Sequence, residues 1–107
     1  SDIKVVNAQT GADLGNLDKT GIEGGTLTLC DVKACDGKIV ACNLATTTEG
    51  QQDLKVYVWD NDNATPRVLL HTTNIGGTVR LGDTFNLDGD LTNGALYFAE
   101  GKADTDT

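Results

Sequence analysis

Three cysteines fall within one short segment, LCDVKACDGKIVACN at residues 29–43, and they are the side chains best able to do chemistry in this chain. The Asp36-Gly37 pair inside the segment is a strong signal for a tight hairpin turn. The segment is therefore predicted to form two antiparallel strands. A three-residue loop would place Cys30 directly opposite Cys42, whereas a two-residue loop would place Asn43 opposite Cys30.

The hairpin register decides what these cysteines can do. Directly opposed cysteines come close enough for a disulfide, so Cys30 and Cys42 are the disulfide candidates. The alternative interpretation is that both are reduced, small, semi-buried apolar side chains. Cys35, expected at the exposed loop tip, is the candidate for a cross-link between subunits. Zinc is disfavoured because the spacing lacks a paired C-x-x-C and the only histidine, His71, is distant in sequence.

Catalytic and cofactor motifs are missing from the sequence. His71 lies in a predicted strand with no matching nucleophile, the only serine is Ser1, and no G-x-S-x-G motif occurs. The oxygen-rich run 60–63, Asp-Asn-Asp-Asn, fails the EF-hand spacing at its glycine and its terminal glutamate. We therefore predict a protein that is not an enzyme and that uses no metal and no cofactor.

Two aromatic residues give the strongest hint of a binding surface. Tyr57 and Trp59 share one face of the predicted strand LKVYVWD. They are interpreted either as a platform for stacking a carbohydrate or as cover for a sheet face or subunit interface. The alternating Leu54, Val56 and Val58 predict that only the other face of this strand is buried.

Composition favours an acidic, all-β domain. The chain has 107 residues with a net charge of −8, and its acidic residues are mainly aspartate, which favours turns, rather than glutamate, which favours helix. The negative charge, with lysine and arginine scattered singly, argues against nucleic acid and anionic membrane surfaces as partners. No apolar run is long enough to cross a bilayer.

Turn signals every 8 to 12 residues predict a β-sandwich or jelly roll of about seven to eight short antiparallel strands. Residues 1–25 are expected to be an N-terminal arm with the first strand, and residues 26–107 the sandwich, in a single domain overall. The polar, glycine-rich part of the arm, residues 7–25, is expected to order only on assembly. The predicted strands cover residues 3–6, 26–34, 38–44, 54–60, 67–73, 78–81, 84–87 and 95–99.

The chain from Leu54 onward resembles small β-sandwich virion proteins of tailed bacteriophages. A strand ending in an aromatic-Asp pair is followed by a loop with proline, a strand ending in threonine, a Gly-Gly-Thr-Val turn, a short Gly-Leu-like strand and an acidic stretch. The matching segments in this sequence are 58–60, 66–73, 76–79, 93–96 and 103–107.

This resemblance implies a non-enzymatic structural subunit of a virion, such as a capsid decoration protein or a neck or tail component. Its partners would be the major capsid protein or a neck or tail protein, together with copies of itself, and it would be assembled in the host cytoplasm. Oxidation after lysis could then form disulfides between neighbours. The alternative is a secreted or surface binding module, such as a pilus or fibre subunit or a carbohydrate-binding sandwich.

Overall fold

Eight short antiparallel strands build the computed structural model, which describes residues 1–22, 27–45, 53–73, 75 and 80–101. The strands, in chain order, are β1 Lys4–Val6, β2 Asp13–Asn16, β3 Asp31–Cys35, β4 Lys38–Cys42, β5 Leu54–Trp59, β6 Arg67–Thr72, β7 Phe85–Asp88 and β8 Ala95–Phe98. No helix occurs in those ranges, and hence none there that could span a membrane. The prediction of an all-β fold is confirmed.

The strands form three sheets stacked in a sandwich-like order. Strands β3, β4, β5 and β6 make a four-stranded central sheet, numbered in the order in which they lie side by side. Strands β1 and β2 form an N-terminal hairpin, and β7 and β8 form a C-terminal hairpin. Each hairpin packs on a different face of the central sheet, so the sheet is the middle layer.

The N-terminal hairpin covers the face of the central sheet that carries Tyr57 and Trp59. Leu17, which follows β2, is buried in the same cluster, and Ile3, just before β1, and Val5 of β1 pack against it. The Trp59 Nε1–H donates a 2.7 Å hydrogen bond to the carbonyl oxygen of Asp18. The indole therefore uses both its apolar ring and its polar edge to hold the N-terminal segment on the sheet.

The C-terminal hairpin covers the opposite face. Val40, Cys42, Val56 and Val58 of the central sheet are buried there together with Phe85 of β7. Phe98 of β8 packs against this cluster, and its ring stacks on that of Phe85 with centroids 5.6 Å apart. The contact is extended beyond the core by partly buried leucines of the same hairpin, Leu87, Leu91 and Leu96.

Strand β5 is consequently buried on both faces, which corrects the expectation of one exposed face. Its only residue that is not buried is Lys55, at intermediate exposure. Lys55 lies between Leu54 and Val56, so the start of the strand shows the alternation of polar and apolar residues that is typical of a half-buried strand. A strand covered on both sides reads instead as an almost continuous apolar run, and VYVW at residues 56–59 has that character.

The N-terminal arm also contains more regular structure than expected. Within residues 7–25, β2 pairs with β1 through Lys4 opposite Asn16 and Val6 opposite Asp13, with a register shift between these pairs. Gly15 has a φ of 99°, a value that favours glycine. Strand β2 therefore contains a residue that is more typical of loops than of strands. Of the predicted strand 78–81, Arg80 and Leu81 form isolated bridges, and residues 78 and 79 lie outside the described ranges.

Candidate functional site

The cysteine hairpin uses the two-residue turn. Asp36 and Gly37 have φ values of 53° and 75°, both positive, as a type I′ turn requires. Cys35 therefore pairs with Lys38, and Asp31, not Cys30, lies directly opposite Cys42. This register corrects the geometry on which the Cys30–Cys42 disulfide prediction depended, and all three cysteines are free.

Burial makes the cysteine thiols poor nucleophiles. Cys42 is completely buried, its Sγ lies 3.4 Å from the carbonyl oxygen of Gly82, and burial raises its pKa to about 12. Burial also raises the pKa of Cys30, with a further contribution from nearby Asp83. Because the thiolate is the reactive form, these two cysteines are structural residues of the core and its margin.

Cys35 is the last residue of β3, whereas the loop tip is formed by Asp36 and Gly37. Its half-buried side chain packs against the cluster under the C-terminal hairpin, and its Sγ lies 3.7 Å from the carbonyl oxygen of Gly89. Desolvation and the Asp36 carboxylate both raise its pKa. The side chain predicted for a cross-link is thus directed towards the protein's own second hairpin.

The two aromatic candidates lie inside the sandwich. Trp59 is 0% exposed and Tyr57 is 5% exposed. Neither ring presents a face to solvent, so the pair has no open platform for a sugar in this structure. Of the two readings of these residues, the structure agrees with cover for a sheet face, because both rings belong to the cluster beneath the N-terminal hairpin.

His71 forms a surface pair with an aspartate. Its Nε2 lies 2.5 Å from Oδ1 of Asp53, and this hydrogen bond lowers the pKa of the Asp53 carboxyl. A shallow depression beside His71 is lined by Gly21, Lys55, Tyr57 and Val68, which supply no serine, threonine or cysteine nucleophile. The pair can orient a proton on the imidazole, but no second reacting group stands beside it among these lining residues.

Metal ligands do not converge in the part of the chain that the structure describes, where no group of three or more His, Cys, Asp or Glu side chains could hold an ion. Within the oxygen-rich run 60–63, Asp60 forms ion pairs with Lys38 and Arg67. The Asn61 side chain accepts a hydrogen bond from the backbone N–H of Asn63. These polar groups stabilise the loop between β5 and β6.

An apolar groove runs beside β3. This β3 groove has a volume of about 560 Å³ and lies between the N-terminal hairpin and the central sheet. Its apolar walls come from both elements, namely Ile3, Val5 and Val6 of the hairpin side and Val32, Ala34 and Ile39 of the sheet side. Val6 and Val32 remain 53% and 41% exposed, so apolar surface continues onto the rim.

Strand β3 is an edge of the central sheet, so part of its backbone faces the groove. In an antiparallel pair, hydrogen-bonded and non-hydrogen-bonded pairs alternate. Because Cys35 and Lys38 flank a two-residue turn, they form a hydrogen-bonded pair, and the Ala34 N–H and C=O therefore point away from β4. The outward N–H of Val32 is occupied by its neighbour's carboxylate, Asp31 Oδ1 at 3.0 Å.

The charged residues that line the groove are Lys4, Lys33 and Asp62. Every lysine and arginine in the described ranges is within ion-pair distance of an aspartate of the same chain, as Lys4 is of Asp13 and Lys33 is of Asp31. Asp62 lines one end of the groove, and it pairs with no lysine or arginine of those ranges. That end is therefore acidic.

Comparison with known proteins gives no guide to this surface, because no family model, curated protein or solved structure matches the chain.

The β3 groove was not predicted from the sequence. One signal was present, since Val32 and Ala34 alternate with polar residues in DVKAC and so had to form an apolar stripe on one side of β3. The other wall could not be inferred, because it depends on where the N-terminal hairpin lies across the sheet. A groove between two elements is a property of their packing.

Proposed function

We propose that this protein is a non-enzymatic structural subunit of a bacteriophage virion, specifically a decoration protein that stabilises the capsid through many repeated contacts. The observation that supports the proposal best is the β3 groove, an apolar surface with an open strand edge on a small acidic sandwich. The side chains first considered for chemistry are used instead for packing, turns and surface ion pairs.

Exposed apolar side chains on several elements also favour a subunit with more than one neighbour. Besides the groove valines, Leu14, Val68 and Tyr97 are 57%, 57% and 56% exposed, on β2, β6 and β8 respectively. Each surface is small, and a subunit present in many copies on a lattice gains strength from the number of its contacts. The sequence resemblance from Leu54 onward to tailed-phage virion proteins points to the same role.

The contacts of such a subunit are expected to be non-covalent. Cys42 is buried, Cys30 is partly buried, and the Cys35 thiol is directed towards Gly89 of its own chain. A single monomer band from purified particles, with and without reductant, is therefore expected on a denaturing gel. A ladder seen only without reductant would restore the predicted cross-link through Cys35.

Localisation on particles tests the proposal. An antibody raised against the recombinant chain would be used for immunogold labelling of particles banded on a density gradient from a culture that carries the gene. Regular labelling of the head, or of the neck or tail, is the expected result. Labelling of the cell surface or of a secreted fraction, with unlabelled particles, would contradict it and favour the alternative surface binding module.

A further inference from the structure

We infer that the β3 groove binds an extended segment of a different, basic protein, which adds as a strand to the edge of β3. The segment would place alternate apolar side chains in the groove and a lysine or arginine at its acidic end. This inference deepens the proposed function, because it rests on the structural role and names the chemistry of one partner.

The backbone supplies the first argument. Ala34 presents one N–H and one C=O outward at the middle of β3, and the C=O of Val32 points the same way. An incoming strand would satisfy all of these groups, as in other cases of strand addition to a sheet edge. Unpaired edges also invite unwanted association, and proteins ordinarily shield them.

The other edge of the central sheet, β6, shows such shielding. Its pairing with β5 contains a register shift between Val56 and Tyr57, and Arg67 and His71 place polar groups along it. Strand β3 instead pairs with β4 over all five residues without a shift. Bulges protect an edge from pairing, so the regularly paired β3 is the more open of the two edges.

The side chains supply the second argument. Cross-strand partners share a face, so Val32 and Ala34 face the N-terminal hairpin together with Ala41 and Ile39, their partners in β4. The charged side chains of Asp31 and Lys33 point to the opposite face, where they pair with each other at 3.3 Å. The side chains that β3 turns towards the groove, Val32 and Ala34, are thus uncharged, as an apolar guest requires.

Electrostatics decide between a second copy and a different protein. The chain has a net charge of −8, so two copies repel each other. The described lysines and arginines already pair with aspartates of the same chain, which leaves none of them to receive a second acidic subunit. Asp62, which lines the end of the groove and pairs with none of those lysines and arginines, would attract a cationic segment instead.

A library of immobilised heptapeptides tests the inference with the whole chain. The second, fourth and sixth positions vary among Val, Ile, Leu, Thr and Ser, and the two end positions vary among Lys, Arg, Asp and Glu. The wild-type chain is expected to select aliphatic residues at the alternate positions and Lys or Arg at an end. Selection of acidic ends, or no selection at all, would overturn the inference.

Matched variants identify the surface. Val32→Asn lies in the groove, and Val68→Asn makes the same change at an exposed valine on the β6 edge. For the selected peptides, V32N is expected to weaken binding about tenfold and V68N by less than about twofold, because only the first removes an apolar wall. Ala34→Pro, which removes the outward N–H at an edge position that tolerates proline, should weaken binding similarly.

Two further results separate the possible causes of failure. Asp62→Asn should reduce the preference for cationic ends while leaving the aliphatic preference intact. Equal binding of the peptides by wild type and V32N would overturn the inference. So would a wild-type dimer in analytical sedimentation that becomes a monomer in V32N, because another copy of the chain would then fill the groove. Gold labelling of particles would still stand in that case, so the virion proposal and the partner proposal fail separately.

Discussion

The two hairpins each cover one face of the central sheet, but the surfaces that they leave exposed are different. The C-terminal hairpin is held at the β3 edge because the Asp31 carboxylate accepts a 2.9 Å hydrogen bond from the Phe85 N–H. The N-terminal hairpin is held further into the sheet, at Trp59, and an apolar groove remains between it and β3. Apolar surface of a sheet face stays open where its cover is anchored away from the edge.

The largest expected effect comes from the anchor of the N-terminal hairpin. Trp59→Ala should lower the free energy of unfolding by about 3–5 kcal/mol, because it leaves a large cavity in a fully buried site. Urea unfolding followed by circular dichroism would measure it. Trp59→Phe, which keeps a ring but removes the donor to Asp18, should cost clearly less. A loss below about 1 kcal/mol for W59A would show that the hairpin is not packed on this residue.

The anchor of the C-terminal hairpin should have a smaller effect. Asp31→Ala leaves the backbone N–H of Phe85 without its acceptor, which should cost about 1–3 kcal/mol in the same assay. Asp83→Ala is the matched control, because it removes an exposed carboxylate paired only with Arg80 and should cost at most about 1 kcal/mol. Equal losses for both variants would contradict the proposed role of Asp31.

Acid should weaken the same anchor. Burial opposes ionisation of Asp31, but the hydrogen bond from Phe85 and the neighbouring Lys33 outweigh it and lower its pKa below 3.8. A lowered folded-state pKa stabilises the protein above pH 3.8, and this stabilisation is lost as the pH falls through the folded-state pKa. Asp31→Asn should flatten the fall in unfolding free energy below pH 3.8. An unchanged slope would show that Asp31 contributes nothing to it.

The reactivity of the three thiols should distinguish the buried centre of the fold from its margins. At pH 8, Cys42 should react with a disulfide reagent only as fast as the protein unfolds, because burial raises its pKa to about 12. Cys30 and Cys35, at the margins of the core, should react faster than Cys42 but more slowly than in urea. Peptide mapping of the labelled sites would test this order, and rapid labelling of Cys42 in the folded protein would contradict the position of β4 between the two hairpins.

Local signals in the sequence predicted the strands and the Asp36-Gly37 turn, but they could not choose the register. A three-residue loop would place Cys42 opposite Cys30, whereas a two-residue loop would place Asn43 there. The Asp36-Gly37 pair is compatible with both loop lengths. Strand β2 was missed because Asp-Leu-Gly-Asn has low strand propensity and forms a strand only through pairing with β1.

The candidate site was less predictable than the fold. Tyr57 and Trp59 were correctly placed on one face of β5, but whether that face meets solvent depends on the N-terminal hairpin, which is distant in sequence. The β3 groove has the same origin, since one of its walls belongs to that hairpin. Residue patterns can assign a side chain to a face, whereas the cover of that face is a tertiary property.

Amide hydrogen exchange of the isolated chain, resolved residue by residue by NMR, tests the open edge of β3 most directly. Lys33 and Cys35 bond to β4 and should be protected, whereas the outward N–H of Ala34 between them should exchange at least about tenfold faster. Addition of a selected peptide should then protect Ala34. An Ala34 amide already as protected as its two neighbours in the free chain would show that the edge is covered, and would contradict the account.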